Sequence, residues 1–147
     1  MKKTLALMTV LSAIAATPAF AADVEFNGTV ATSCTLVAAP GSLTQNANAT
    51  VLASGTAGEG TVTVTTNSNN FGVTLGNASW TSTPSAYSGT TTFVTTGQIG
   101  SATAVASGTA MPVVDTNVIK VNVTATKDGG GSFQDGAYTA LVVATCS

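Results

Sequence analysis

Valine and threonine alternate along much of this chain, and this two-residue period constrains the fold more than any other feature. In the stretch GTVTVTT, residues 60–66, Val62 and Val64 point to one side of an extended chain and the threonines point to the other. Residues 71–75 and 117–126 repeat the pattern, and no window shows a sustained period of 3.6 residues. The sequence therefore predicts an all-β protein.

Turn-forming residues divide the chain into short strands. Pro, Gly, Asn and Asp cluster at residues 39–41, 66–70, 83–85 and 128–131. Strands at this spacing predict a β-sandwich of the immunoglobulin kind, with no helix longer than a turn or two and Trp80 in a loop. The predicted strands are residues 24–37, 49–53, 60–66, 71–76, 90–96, 111–114, 117–126 and 137–146. The residues expected to be buried are Phe71, Val73, Ile119, Val121, Tyr138 and Val142.

The first 21 residues have the features of a secretory signal peptide. Lys2 and Lys3 precede a short apolar run, and residues 19–21 form an A-x-A cleavage site. The run is too short to span a membrane, and no later stretch is long enough, so we expect no membrane insertion after cleavage. The rest of the chain has the size of one exported domain.

The charge of the predicted mature chain excludes several classes of partner. Loss of Lys2 and Lys3 leaves two lysines, no arginine and no histidine against six acidic residues, a net charge of −4. Such a chain has few groups to neutralise phosphates, so we expect neither nucleic acid nor anionic membrane as a partner.

The chain has two cysteines, Cys34 and Cys146. In an exported protein with no third thiol, they predict one disulfide that encloses nearly the whole domain. A redox or metal role is disfavoured because there is no C-x-x-C motif and no histidine to share a metal.

No residue pattern predicts an enzyme. Without histidine there is no Ser-His or Cys-His pair, and the carboxylates do not cluster in sequence. Asp128 and Asp135 flank glycines as in a calcium loop, but the other ligand positions and the closing glutamate are missing. We therefore expect no catalytic site, no cofactor and no metal.

The clearest amphipathic segment lies directly after the predicted cleavage site. Val24, Phe26, Gly28 and Val30 alternate with polar residues and give the segment one apolar face. The last predicted strand differs, because residues 141–143 are all apolar and both of its faces need cover. The N-terminal segment completes either this protein's own sheet or the sheet of another chain, and the pattern leaves both open.

The two ends of the chain resemble the pilins of chaperone–usher fimbriae, and the short extension is closer to the archaic and alternate branches. The resemblance lies in VEFNGTVATSCTL, which leads into a first strand with a cysteine, and in DGAYTALVVATC. In the latter, Gly136, Tyr138, Val142 and Ala144 match a family pattern for the last strand.

The resemblance implies an incomplete immunoglobulin-like fold and a function in an extracellular fimbrium that supports adhesion or biofilm formation. Residues 22–33 would be a donor-strand extension and residues 34–147 the pilin domain. A periplasmic chaperone would occupy the gap first. The N-terminal extension of the next, identical subunit would then replace the chaperone, with an outer-membrane usher as a further partner. Val24, Phe26 and Val30 would fill pockets in the neighbouring subunit, and Gly28 would allow close approach at a shallow site.

Two other functions remain open at this point. If residues 24–30 form the protein's own first strand, the domain is a complete, monomeric β-sandwich of the cell surface or matrix. A small carbohydrate-binding adhesin would need an aromatic platform, for which Trp80 and Tyr87 are the candidates, although core or loop packing explains them as well.

Overall fold

The computed structural model of the chain describes residues 25–147. The chain divides into two units, Met1–Val30, of which residues 25–30 are described, and Ala31–Ser147. The predicted signal peptide, its cleavage site and Val24 lie outside the described residues. Within the first unit, residues 25–30 form neither strand nor helix.

The second unit is all-β, which confirms the fold class predicted from the Val/Thr alternation. Its helical content is one 3-10 turn at Asp128–Gly130, and no helix within residues 25–147 is suited to crossing a membrane. The strands are β1 Cys34–Ala39, β2 Thr44–Gln45, β3 Val51–Ala53, β4 Gly60–Thr66, β5 Phe71–Leu75, β6 Ser79–Ser82, β7 Thr91–Ile99, β8 Val105–Ala106, β9 Ala110–Val113, β10 Thr116–Lys127, β11 Thr139–Leu141 and β12 Ala144–Cys146.

The long strand β10 organises the largest sheet, in which every pair is antiparallel. On one side, β10 pairs with β4 through residues 116–121 and with β3 through residues 124–126, so β4 and β3 lie end to end. On its other side it pairs with β7, which pairs with β8. β1 adds to β4 and β2 adds to β3, and together they form one edge of this sheet.

The second layer consists of two smaller antiparallel sheets, β12-β5-β9 and β11-β6. Their strands pack on the large sheet to give a sandwich-like arrangement. The two layers enclose an aliphatic cluster made of Val62, Val64, Val73, Leu75, Met111, Val113, Ile119 and Val121. A second, aromatic-rich cluster is built around Leu52, Ala125 and Phe133.

The alternation in β4 explains why this strand forms where it does. Val62 and Val64 are buried, while Thr61, Thr63 and Thr65 lie on the other face. In β10, Ile119 pairs with Val62 and is fully buried, whereas the adjacent Val118 is 48 % exposed. The two-residue period therefore fixes the register of both strands, since a slip of one residue would expose the buried set.

Several strand boundaries differ from those predicted. β1 begins at Cys34 rather than at residue 24, and the described residues before it, 25–33, are not part of a strand. Residues 137–146 form two strands instead of one, because β11 pairs with β6 and β12 pairs with β5. The strands β2, β6 and β8 were not predicted, and Trp80 lies on β6 rather than in a loop.

Burial agrees with the prediction for Val73, Ile119 and Val121 and is overestimated for three residues. Phe71, Tyr138 and Val142 are only half-buried. Tyr138 and Val142 border an open cavity, which is described below. One side of each of these two side chains therefore has no neighbouring side chain. Phe71 is the first residue of β5, at the end of its sheet.

We expect Ile119→Ala to lower the free energy of unfolding by about 2–5 kcal/mol, because it removes buried methyl groups and leaves a cavity. The matched control is Val118→Ala, whose side chain is half-exposed on the same strand and whose effect should stay within about 0.5 kcal/mol. Urea denaturation followed by circular dichroism measures both. Equal losses would contradict the assignment of the two faces of β10.

Candidate functional site: a groove between two sheet edges

Cys34 and Cys146 form a disulfide, as predicted, between the first and last strands. Their Cα atoms are 6.6 Å apart, and the bond links residues separated by 112 positions in the chain. Cys34 is the first residue of β1 and Cys146 is the last residue of β12, so the chain leaves the bond along β1 and returns to it along β12. The disulfide therefore joins the large sheet to the second layer at one end of both edges.

Among residues 25–147, no strand lies between the two joined edges. β1 pairs only with β4 and β2 only with β3. Across from them, β11 pairs only with β6 and β12 only with β5. Each edge therefore carries main-chain N–H and C=O groups on the side that faces away from its partner strand, and such groups can accept a further strand.

A cavity of about 550 Å³ lies between these edges. We call it, together with the adjoining cavity, the groove. One edge contributes residues 38–43 and the other contributes residues 138–142 and Ala144, while Val62, Leu75 and Val121 form part of the floor. No charged side chain is among the lining residues. The second cavity, of about 350 Å³, shares Leu43 and Tyr138 with the first and extends it along residues 136–138.

Ala38 shows how the groove differs from a filled core. It pairs with buried Val62 and lies on the same face as Cys34 and Leu36, so its side chain points toward the interior. Ala38 is nevertheless exposed, whereas Cys34 and Leu36 are partly buried. The interior-facing side of β1 is thus covered near the disulfide and uncovered at its far end.

Two glycines bring the loops beside the groove into contact. Ser42 N donates a hydrogen bond to Gly58 O at 2.9 Å. A Cβ on Gly41 would meet the Gly58 carbonyl oxygen, and a Cβ on Gly58 would meet Ser42 O. Any side chain at either position would therefore push the two loops apart and change the edge of the groove.

A polar network holds the loop that contains Gly58 against β10. Ser54 Oγ donates to Asn122 Oδ1 at 3.0 Å, and Asn122 Nδ2 donates to Glu59 Oε1 at 3.0 Å. Lys120 Nζ lies 3.3 Å from Glu59 Oε2. The hydrogen bond from Asn122, together with Lys120, holds the pKa of the Glu59 carboxyl below its ordinary value despite partial desolvation.

The aromatic cluster adjoins the groove, because Leu43 and Tyr138 belong to both. The ring of Trp80 contacts those of Phe93, Phe133 and Tyr138, with centroid distances of 4.8, 6.0 and 5.3 Å. Lys127 is buried, with its ammonium 3.9 Å from the ring centroid of Tyr87 and a hydrogen bond to Ser88 O. Trp80 and Tyr87 are therefore packed among other aromatic rings, which does not favour an exposed sugar platform.

Burial also affects the phenol of Tyr138, which lines the groove. Desolvation raises the pKa of this group above its ordinary value, and its hydroxyl donates to Gln134 O at 3.0 Å. The neutral phenol is thus the form that the fold favours.

The described members of the predicted donor segment are exposed. Phe26 is 91 % exposed and Val30 is 87 % exposed. A Cβ on Gly28 would have no atom within 4 Å, so the close approach proposed for this glycine remains a prediction. Val24 lies outside the described residues.

A clamp on residues 31–33 was missed by the sequence reasoning. Asn67 Oδ1 accepts a hydrogen bond from Ser33 N at 2.8 Å, and Asn67 Nδ2 donates to Ala31 O at 2.8 Å. The stretch TNSNN was interpreted only as a turn, because the partner of an Asn side chain distant in sequence cannot be identified from local pattern.

The acidic residues do not assemble a metal site within residues 25–147, where no group of three His, Cys, Asp or Glu side chains is suitably placed. Asp128 Oδ1 instead accepts a hydrogen bond from Thr92 Oγ1 at 2.8 Å. Hydrogen bonds from Thr92 and Thr90 hold the pKa of Asp128 below its ordinary value.

Comparison with known proteins assigns no relative: no family model, no curated protein and no solved structure matches this chain. Function must therefore be argued from the groove and from the exposed N-terminal segment.

Replacing both cysteines by alanine should lower the free energy of unfolding by about 2–5 kcal/mol, since the bond closes a long loop. The matched control is Thr35→Ala/Thr145→Ala, which alters exposed neighbours on the same two strands and keeps the bond. Urea denaturation under oxidising conditions compares the two. A disulfide-free variant as stable as the control would contradict a stabilising role.

We expect part of the stability to be lost as the pH falls below 4.5, the ordinary pKa of glutamate, and through the lower pKa that Glu59 has in the folded protein. The folded state lowers the pKa of Glu59, so its contribution is present above that pH and disappears as the carboxyl is protonated. Glu59→Gln should show a flatter decline in melting temperature between about pH 6 and pH 3. A decline identical to that of the parent protein would show that Glu59 has no such role.

Proposed function

We propose that this protein is the structural subunit of a surface fibre, and that residues 24–30 of one copy dock as a strand in the groove of the next. The observation that carries this proposal is the groove itself, which has two opposed strand edges and an uncharged lining, with no strand of the described chain between the edges. An extended segment placed there gains main-chain hydrogen bonds along its length, while alternate side chains enter the apolar space.

The exposed segment has the chemistry that the groove requires. Phe26 and Val30 are almost fully exposed and stand on the same face of an extended chain. Seven residues in a strand span about 20 Å, which suits a groove edged by residues 38–45. Burial of Phe26 alone would contribute about 1.5–3 kcal/mol, so exposure in the free subunit favours association.

Under this proposal the domain is an immunoglobulin-like sandwich that lacks one strand, as in the chaperone–usher pilins that its ends resemble. Before assembly, a periplasmic chaperone would occupy the groove, and an outer-membrane usher would mediate exchange for the next subunit. The disulfide fits an exported protein, because such bonds persist in oxidising compartments. The fibre would stand on the cell surface and support adhesion or biofilm formation.

We expect Phe26→Asp to abolish fibres while leaving the domain folded, because a carboxylate in an apolar groove costs several kcal/mol. The matched control is Asn27→Asp, which adds the same charge on the opposite face of the extended segment. Negative-stain electron microscopy scores fibres, and a thermal melt checks folding. If residues 24–30 instead form the protein's own strand, Phe26→Asp should unfold the monomer.

Filling the groove from the acceptor side should have the same effect. Ala38→Phe places a ring in the uncovered interior-facing space, whereas Val37→Phe adds it to the outer face, where Val37 is already 62 % exposed. We expect the first variant to be a folded monomer and the second to form fibres. Fibres of Ala38→Phe would contradict docking at this groove.

A mixture of the two blocked variants tests whether the segment acts between chains. Phe26→Asp retains a free groove and Ala38→Phe retains a free segment, so together they should form a one-to-one complex and nothing longer. Size-exclusion chromatography with light scattering measures this complex. If the mixture contains only monomers, strand donation between copies is excluded.

A further inference from the structure

The groove is not equally wide along its length. A strand that pairs with neighbours on both sides separates them by two strand spacings, about 9.5 Å. The Cα atoms of Cys34 and Cys146 are only 6.6 Å apart. No strand fits between the two edges at the disulfide, although each edge has a free side there.

The lining of the groove agrees with this limit. On the first edge the lining starts at Ala38, and on the second it ends at Ala144. Leu36, one interior-facing position closer to the disulfide, instead packs against the aliphatic cluster together with Cys34 and Cys146. The closed part of the groove is therefore filled by the protein's own side chains.

A closed end matters because the alternation of apolar and polar residues in the docking segment, residues 24–30, does not by itself specify one register. A strand that slips by two residues keeps the same side chains on the same face. Such a slip would place Gly28 where Phe26 belongs and would leave the space for the Phe26 ring unfilled. The strand β1 has no charged residue, so it offers no salt bridge to prevent the slip.

We infer that the Cys34–Cys146 bond is a positioning element that closes the groove and sets the register of the docked strand. This inference rests on the proposed function, in that the occupant is residues 24–30 of a second copy. Main-chain pairing then covers residues 38–45 and 136–144 and stops before the disulfide, and the docked segment has one register rather than several.

The test uses the Phe26→Asp mature chain, whose groove is free, and a synthetic peptide of residues 22–33 that carries benzoylphenylalanine at position 26. Hydrogen exchange with the peptide should slow by about tenfold or more at groove-facing amides within residues 38–45 and 136–144. Amides of residues 34–36 and 145–146 should be unchanged. Photocrosslinking should give one attachment site, mapped by mass spectrometry.

The same peptide is then added to the chain that also carries Cys34→Ala/Cys146→Ala, with Thr35→Ala/Thr145→Ala as the control that keeps the bond. Without the bond we expect protection to extend to residues 34–36 and a second crosslink to appear two positions along. A footprint and a crosslink identical to those of the oxidised protein would overturn the positioning role.

The outcomes separate this inference from the function on which it rests. Protection that reaches Cys34 and Cys146 in the oxidised protein would overturn the closed end and leave strand docking intact. No protection at any residue would overturn both. If the disulfide-free chain does not fold, the footprint and the number of crosslinks on the oxidised protein still test the closed end and the single register, and a second crosslink there would overturn the inference.

Discussion

The Cys34–Cys146 bond is the interaction on which the groove depends. It links two strand edges that belong to different sheets and that exchange no ladder hydrogen bonds with each other. Elsewhere in the sandwich the sheets are held by buried aliphatic side chains such as Val64, Val73 and Ile119. Only at the disulfide are the two edges held together by a covalent bond, and beyond it they are free to border an open space.

The strands that could be predicted are those with one buried face and one exposed face. β4 and β10 alternate large apolar and polar residues, so the pattern fixed both their position and their orientation. The strands β2 and β8 have two residues each, too few for a period to show. The split between β11 and β12 was hidden because residues 141–143 are apolar on both faces, and pairing with different neighbours decides where the break falls.

The groove itself was only partly accessible to sequence reasoning. The apolar run at residues 141–143 indicated a strand in need of cover, but Leu141 and Val143 are about half-exposed and only the intervening Val142 faces inward. The contact between Gly41 and Gly58, and the network from Ser54 to Glu59, join positions distant in sequence and carry no local pattern. These contacts shape the edge of the groove, and only the three-dimensional structure reveals them.

The placement of the lysines determines what a protease can report about this protein. Within residues 25–147 there is no arginine, and the only lysines are Lys120 and Lys127, both on β10. Lys120 lies where this strand pairs on both sides, and Lys127, at the end of the strand, is buried, so trypsin meets no exposed lysine in a surface loop of the described chain. Tryptic digestion of the described chain therefore reports on the opening of β10 and of the turn that follows it, and resistance to trypsin carries no information about the groove or the other loops.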